Sequence, residues 1–103
     1  DIVTVALRGE SGKPRPAVVV QSDAFRDHST VTVLPLTSDI IPSPAIRILV
    51  EPTMQNGLRK LSQIMIDKTQ TVAAEKVRAA VGRLEAEQLL AVDRALASFL
   101  GLA

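Results

Sequence analysis

The run AVVVQ at residues 17–21 constrains this chain more than any other stretch. Consecutive β-branched side chains favour a strand over a helix, and an apolar run without polar alternation reads as a strand buried on both faces. It follows RGESGKPRP (8–16), whose glycines, serine and prolines make a loop. On either side, IVTVAL (2–7) and TVTVLPL (30–36) alternate as half-buried strands do, and Pro35, with no N–H to give, predicts a strand edge or a bulge. The polar residues 22–29 suit a short helical turn with Phe25 as an apolar anchor. Residues 37–44 read as a loop before a fourth strand, AIRILV (45–50), and the Asn56-Gly57 pair marks a turn. LSQIMI (61–66) and KTQTV (68–72) supply one or two further strands.

The period then changes. Residues 74–81 predict a short helix ended by Gly82, and from Glu85 onward Leu89, Val92, Leu96 and Phe99 recur at helical spacing. Glu85 and Glu87 suit the positive end of that second helix, and Gly101 can stop it. Five or six short strands followed by short helices predict a mostly β fold, a small and strongly bent antiparallel sheet or barrel. At 103 residues, one domain over 1–103 is expected.

Composition removes several kinds of chemistry. The only large aromatic residues are Phe25 and Phe99, so a site built from several stacked rings is not expected. The formal net charge is +1, and an anionic partner would have to be met by a local cluster of positive charge. With no cysteine there is no disulfide, thiol catalysis or Cys-based zinc site, and the single His28 leaves little for another transition metal. Neither a cofactor nor a metal is expected. No apolar run approaches the roughly 20 residues of a membrane span, and no signal-peptide pattern opens the chain, so a cytoplasmic location is expected. The sequence opens on Asp1 without an initiator methionine, and residues before it are expected.

Arg15 stands between Pro14 and Pro16 at the mouth of the valine run. Both prolines restrict the backbone around it, so its guanidinium is either a solvated charge at a loop end or a preorganised donor fork suited to phosphate oxygens. Glu10, five residues earlier, is an exposed loop carboxylate or a general base beside that arginine. Thr37 and Ser38 leave a strand and open a loop, where hydroxyls serve turn chemistry or donate to an anion. Ser62 and Gln63 are polar positions inside a predicted strand, suited to a structural hydrogen bond. His28 forms no convincing triad, and the aspartates at 23, 27 and 39 lack a calcium-loop pattern.

Taken in order, the segments DIVTVAL, GESGKPRPAVVVQSD, TVTVLPLTS, GLRKLSQIMIDKTQTV, VGRL and the closing helix resemble the MazF/PemK family of toxin ribonucleases from type II toxin-antitoxin systems. The resemblance covers nearly the whole chain. It implies an SH3-like (CcdB/MazF-type) small β-barrel with a C-terminal helix, assembled as a homodimer. It also implies a growth-inhibiting endoribonuclease that cuts single-stranded RNA without a metal, leaving a 2′,3′-cyclic phosphate and a 5′-hydroxyl, and is neutralised by a cognate antitoxin protein. The substrate it implies is messenger RNA, with transfer and ribosomal RNA as alternatives left open by the sequence. The family's catalytic arginine and threonine fall on Arg15 and Thr37, and the loop glutamate used by some members falls on Glu10. Lys13, Ser38, Ser62, Gln63, Arg8 and Arg26 are the expected RNA contacts, with Ser62 and Gln63 alternatively bracing the site. The first strand lacks the aromatic residue that family members often carry, so bases would be held by arginine planes, apolar surface and hydrogen bonds. The related CcdB family of gyrase poisons depends on a C-terminal tryptophan, whereas this chain has none and ends FLGLA. A non-enzymatic small-barrel RNA-binding module is the third alternative.

Overall fold

Three prolines decide where the strands of this fold pair and where they part. The computed structural model describes residues 1–7 and 13–102, and among these seven strands and one α-helix follow one another. They are β1 (Ile2–Ala6), β2 (Pro14–Val19), β3 (Thr30–Thr37), β4 (Arg47–Val50), β5 (Ser62–Met65), β6 (Gln70–Ala73), β7 (Val77–Gly82) and α1 (Ala86–Phe99). The sheet is antiparallel in the order β4-β5-β3-β2-β1-β7, with β6 added beside β3, and it bends into an open barrel.

In an antiparallel ladder, alternate residues turn their N–H groups toward opposite neighbours. Val19 donates to Asp1 on the β1 side at 2.9 Å, and Val20 donates to Thr32 on the β3 side at 3.1 Å. By that alternation Pro14 and Pro16 stand where N–H groups would face β3, so they spare the β1 ladder, which runs the full length from Ile2↔Val18 to Ala6↔Pro14. The β2–β3 ladder stops at Ala17↔Pro35. Pro35 lacks its N–H on the other edge of β3, where the partner changes from β6 (through Val33↔Gln70) to β5 (from Leu36↔Ile64). The strand edge expected at Pro35 is thus local: β3 is a central strand whose proline marks the seam between two partners.

The valine run is buried on both faces at Ala17 and Val18, as its composition predicts, and half-buried at Val19 and Val20. Val18 packs with Ile2, Leu34, Ile64 and Val92 in the larger core, while Ala17 packs with Val5, Leu7 and Val33 in a second cluster. Helix α1 closes the larger core through fully buried Val92, flanked by Leu89, Ala95 and Leu96. Glu85 and Gln88 form a reciprocal capping box at its start, and Gly101 (φ 74°) turns its end.

Two sequence expectations are corrected. Residues 74–81 are not a helix: Ala74–Lys76 is a single 3-10 turn, and β7 follows, pairing with β1 from Val5↔Val77 to Ile2↔Gly82. Alanine, glutamate, lysine and arginine favour a helix locally, but the open edge of β1 offers the same residues a ladder, and the tertiary pairing wins. Phe25 does not anchor residues 22–29, since it is 57% exposed, with its ring edge-on to His28. Gln21 performs that task instead, accepting from the Thr32 N–H at 3.0 Å and donating to the carbonyls of Phe25 and Thr30 at 3.0 and 3.2 Å.

Gly82 ends a strand and also permits a close approach. A Cβ on Gly82 would lie 2.4 Å from the backbone of Asn56 and Gln55, and one on Gly57 (φ 69°) would lie 2.1 Å from the Val81 carbonyl oxygen. Loop residues 53–57 therefore press against β7 backbone to backbone. Gly82→Ala should lower stability by about 2 kcal/mol or more, because backbone cannot yield as a side chain can. Urea unfolding of the variant against the wild-type chain measures this.

Candidate functional site

The end of the β2–β3 ladder creates the site. Continued two residues beyond Ala17↔Pro35, the register sets Arg15 opposite Thr37, at the position where cross-strand side chains approach most closely. Beyond the prolines no backbone bond draws the strands together, and a cavity of about 710 Å³ opens there. Arg15, Thr37, Ser38 and Ser62 all line it, so residues from three strands and a loop meet at one place.

Each has a definite environment. Arg15 is exposed at the strand mouth, held by the β1 ladder through Val5↔Arg15. The Thr37 side-chain oxygen accepts the Asp39 N–H at 3.1 Å. A hydroxyl that accepts in this way keeps its own hydrogen to donate, so Thr37 is an oriented donor at the cavity wall. Ser62 is buried, and its hydroxyl donates to the Lys60 carbonyl at 2.9 Å. Gln63, the ladder partner of Thr37, is 5% exposed and does not line the cavity. Its amide donates to the Ile41 carbonyl at 2.8 Å and accepts the Ile41 N–H at 3.1 Å, which straps residues 38–41 down behind Thr37.

The other expected contacts are dispersed. Lys13 is exposed one residue before the cavity wall begins at Pro14. Arg26 sits at the far end of β2 and β3, with its Nε 3.4 Å from the Asp23 carbonyl oxygen and a guanidinium nitrogen 3.8 Å from the Asp23 carboxylate. It lines a separate groove with Gln21 and Asp23. Glu10 and Arg8 lie outside the described residues.

Arg59 and Lys60 also line the cavity, and sequence reasoning did not single them out. Both are exposed and come from the β4–β5 loop. Asn56 organises that loop from within. At 2% exposure it donates to the Glu51 carbonyl at 2.8 Å and accepts the N–H groups of Thr53 and Leu58 at 2.9 and 3.0 Å. The Asn-Gly pair was the available signal: it announces a fixed turn, and the two cations follow it within three residues. Among the described lining residues, Arg15, Arg59 and Lys60 face a single carboxylate, Asp39. Such a local excess of positive charge is what a polyanion requires on a chain whose net charge is only +1. Among the described residues no three His, Cys, Asp or Glu side chains gather as a metal site would need.

The family model for the PemK-like, MazF-like toxin of type II toxin-antitoxin systems matches residues 1–100. This chain belongs to that toxin family. It is similar to the probable endoribonuclease MazF of Mycolicibacterium smegmatis, at 44% identity over all of this chain and 95% of that protein. Endoribonuclease MazF9 of Mycobacterium tuberculosis is 30% identical over 94% of this chain and 86% of its own length. Among solved structures, the Mycobacterium tuberculosis toxin MazF-mt6 superimposes with a TM-score of 0.82 at 26% identity, over all of this chain and 99% of that one. The MazE-MazF complex of Deinococcus radiodurans superimposes with a TM-score of 0.78 at 20% identity, over 99% of this chain and 92% of that one, a likeness of fold. The seven-stranded bent sheet with its C-terminal helix is thus the family's toxin fold, and no helix among the described residues is long and apolar enough to cross a membrane.

Gln63→Leu should remove both hydrogen bonds to Ile41, leaving its carbonyl only the Ser43 N–H, at a cost of about 1 kcal/mol. Hydrogen exchange at the Ile41 amide is expected to quicken more than exchange at Ile64, which stays within its ladders to β3 and β4.

Proposed function

We propose that this chain is an endoribonuclease toxin that cuts single-stranded RNA without a metal, through attack of a ribose 2′-hydroxyl on the adjacent phosphate. The observation that carries the reading is the meeting of Arg15 and Thr37 across the end of the β2–β3 ladder, on one cavity whose described lining residues carry excess positive charge. The name of the 44% identical relative, probable endoribonuclease, supports it independently.

In the reaction the 2′-oxygen gives up its proton and bonds to phosphorus, and the bond from phosphorus to the 5′-oxygen breaks. The products are a 2′,3′-cyclic phosphate and a 5′-hydroxyl, the leaving oxygen having gained a proton. The nucleophile is already tethered to its target, so proximity is supplied by the substrate and the protein chiefly stabilises charge on the crowded phosphorane. Arg15 offers a fixed cation with forked donors, and Thr37 adds a hydroxyl hydrogen bond to a nonbridging oxygen. Glu10 takes the 2′-hydroxyl proton, a role assigned from the family pattern. The guanidinium stays protonated at neutral pH, so Arg15 acts through charge and not as the acid.

The same reading includes a homodimer, a cytoplasmic location where RNA is the substrate, and a cognate antitoxin whose acidic segment occupies the cavity. A toxin of this fold is known in complex with its cognate antitoxin from a mycobacterial species, at 20% identity and a TM-score of 0.79 over 99% of this chain and 93% of that one. Exposed Leu49, Leu61, Leu90 and Phe99 supply apolar surface for subunit or antitoxin contact.

Purified protein incubated with mixed RNA in excess chelator should produce fragments ending in cyclic phosphate. Arg15→Ala should slow cleavage by about 10²–10³-fold, and Thr37→Val by about tenfold or more, with circular dichroism unchanged. RNA bound but never cut by the wild-type chain would favour the binding-module reading. Light scattering on the toxin alone should return twice the 11.0 kDa chain mass.

A further inference from the structure

We propose that Arg59 and Lys60 are positioning residues that grip the phosphates flanking the scissile one, so that RNA crosses the cavity from Arg15 to the β4–β5 loop. The proposal rests on the endoribonuclease reading and names residues to which that reading gives no role. Three observations carry it. First, both side chains line the same cavity as Arg15 and Thr37 while belonging to an element that takes no part in the β2–β3 crossing. Second, the loop that presents them is built to stay in place. Asn56 ties it internally, Gly57 and Gly82 let it lie against β7, and Ser62 bonds the Lys60 carbonyl. Third, neither side chain has an ion-pair partner among the described residues, although they are adjacent like charges on a cavity that Arg15 also lines.

The adjacent charges of Arg59 and Lys60 repel one another, and an anion between them relieves that. A cavity of about 710 Å³ has more room than one phosphate requires, so the additional charges serve neighbouring phosphates of an extended strand. Such contacts are made equally to substrate and transition state. They lower KM and leave the chemical step to Arg15 and Thr37.

The test uses the full chain, an RNA cut by the wild-type protein, and the same RNA with a 2′-deoxy nucleotide at the cleavage position to measure binding without turnover. The double variant Arg59→Gln, Lys60→Gln should raise KM about tenfold or more and leave kcat within about twofold. The dependence of log binding constant on log salt should flatten by about 1.4, two phosphates at roughly 0.7 each for a single strand. The exchange variant Arg59→Lys, Lys60→Arg keeps both charges and should retain the wild-type slope. If the wild-type chain neither cuts nor binds RNA, the endoribonuclease reading fails. If it cuts RNA while the double variant keeps the wild-type KM and slope, this inference alone is overturned. A fall in kcat at unchanged KM would also overturn it, because the two residues would then act on the transition state.

Discussion

Three missing hydrogens organise this molecule. Pro14 and Pro16 withhold N–H groups from β3 and leave β1 fully paired, while Pro35 withholds one from the opposite edge of β3. The first two let β2 remain a rigid strand on one side as it separates on the other. The third divides β3 between two partners, which permits a single sheet to bend into a barrel. A cavity next to a buried ladder follows directly, and Arg15 and Thr37 belong to the strand ends on its two sides. Their backbones are set by pairing with β1 and β5 even though the bonds between them have ended.

The core makes that arrangement durable. Val18 and Ala17 point into different apolar clusters, so β2 is clamped from both faces and cannot rotate to carry Arg15 away from the cavity. Behind Thr37, the Gln63 amide spends its hydrogen bonds on Ile41, which places a buried polar group in support of the site and away from its surface. Preorganisation of this kind is what electrostatic stabilisation of a phosphorane requires, since groups already in place need no rearrangement during the reaction.

Much of this is legible from residue order, and the exceptions have physical causes. The valine run, the alternating strands and the capped C-terminal helix are local signals that tertiary structure reinforces. Residues 74–81 include the helix formers Ala74, Glu75, Lys76, Arg78, Ala79 and Ala80, and only the unpaired edge of β1, remote in sequence, makes 77–82 a strand. Phe25 suggests an anchor by hydropathy, yet Gln21 holds the turn because its amide can satisfy three backbone groups and a phenyl ring none. In the site, Arg15 was marked by its flanking prolines, whereas Arg59 and Lys60 resemble ordinary loop charges until the fold carries their loop across the cavity. Gln63 was visible as a polar residue among apolar ones, but whether it faced ligand or backbone depended on the path of residues 38–46.

The separation of strand-borne from loop-borne groups bears on how such a chain can diverge. Arg15 and Thr37 are tied to ladders that tolerate no insertion, because one added residue would turn every following side chain to the opposite face. The loops that join β3 to β4 and β4 to β5, residues 38–46 and 51–61, instead admit changes of charge at exposed positions such as Arg59 and Lys60 at far smaller structural cost. Paralogues of this architecture are therefore free to acquire different target sequences while the strands stay constant, and a toxin with a new preference can be sought by exchanging exposed loop side chains on an unaltered barrel.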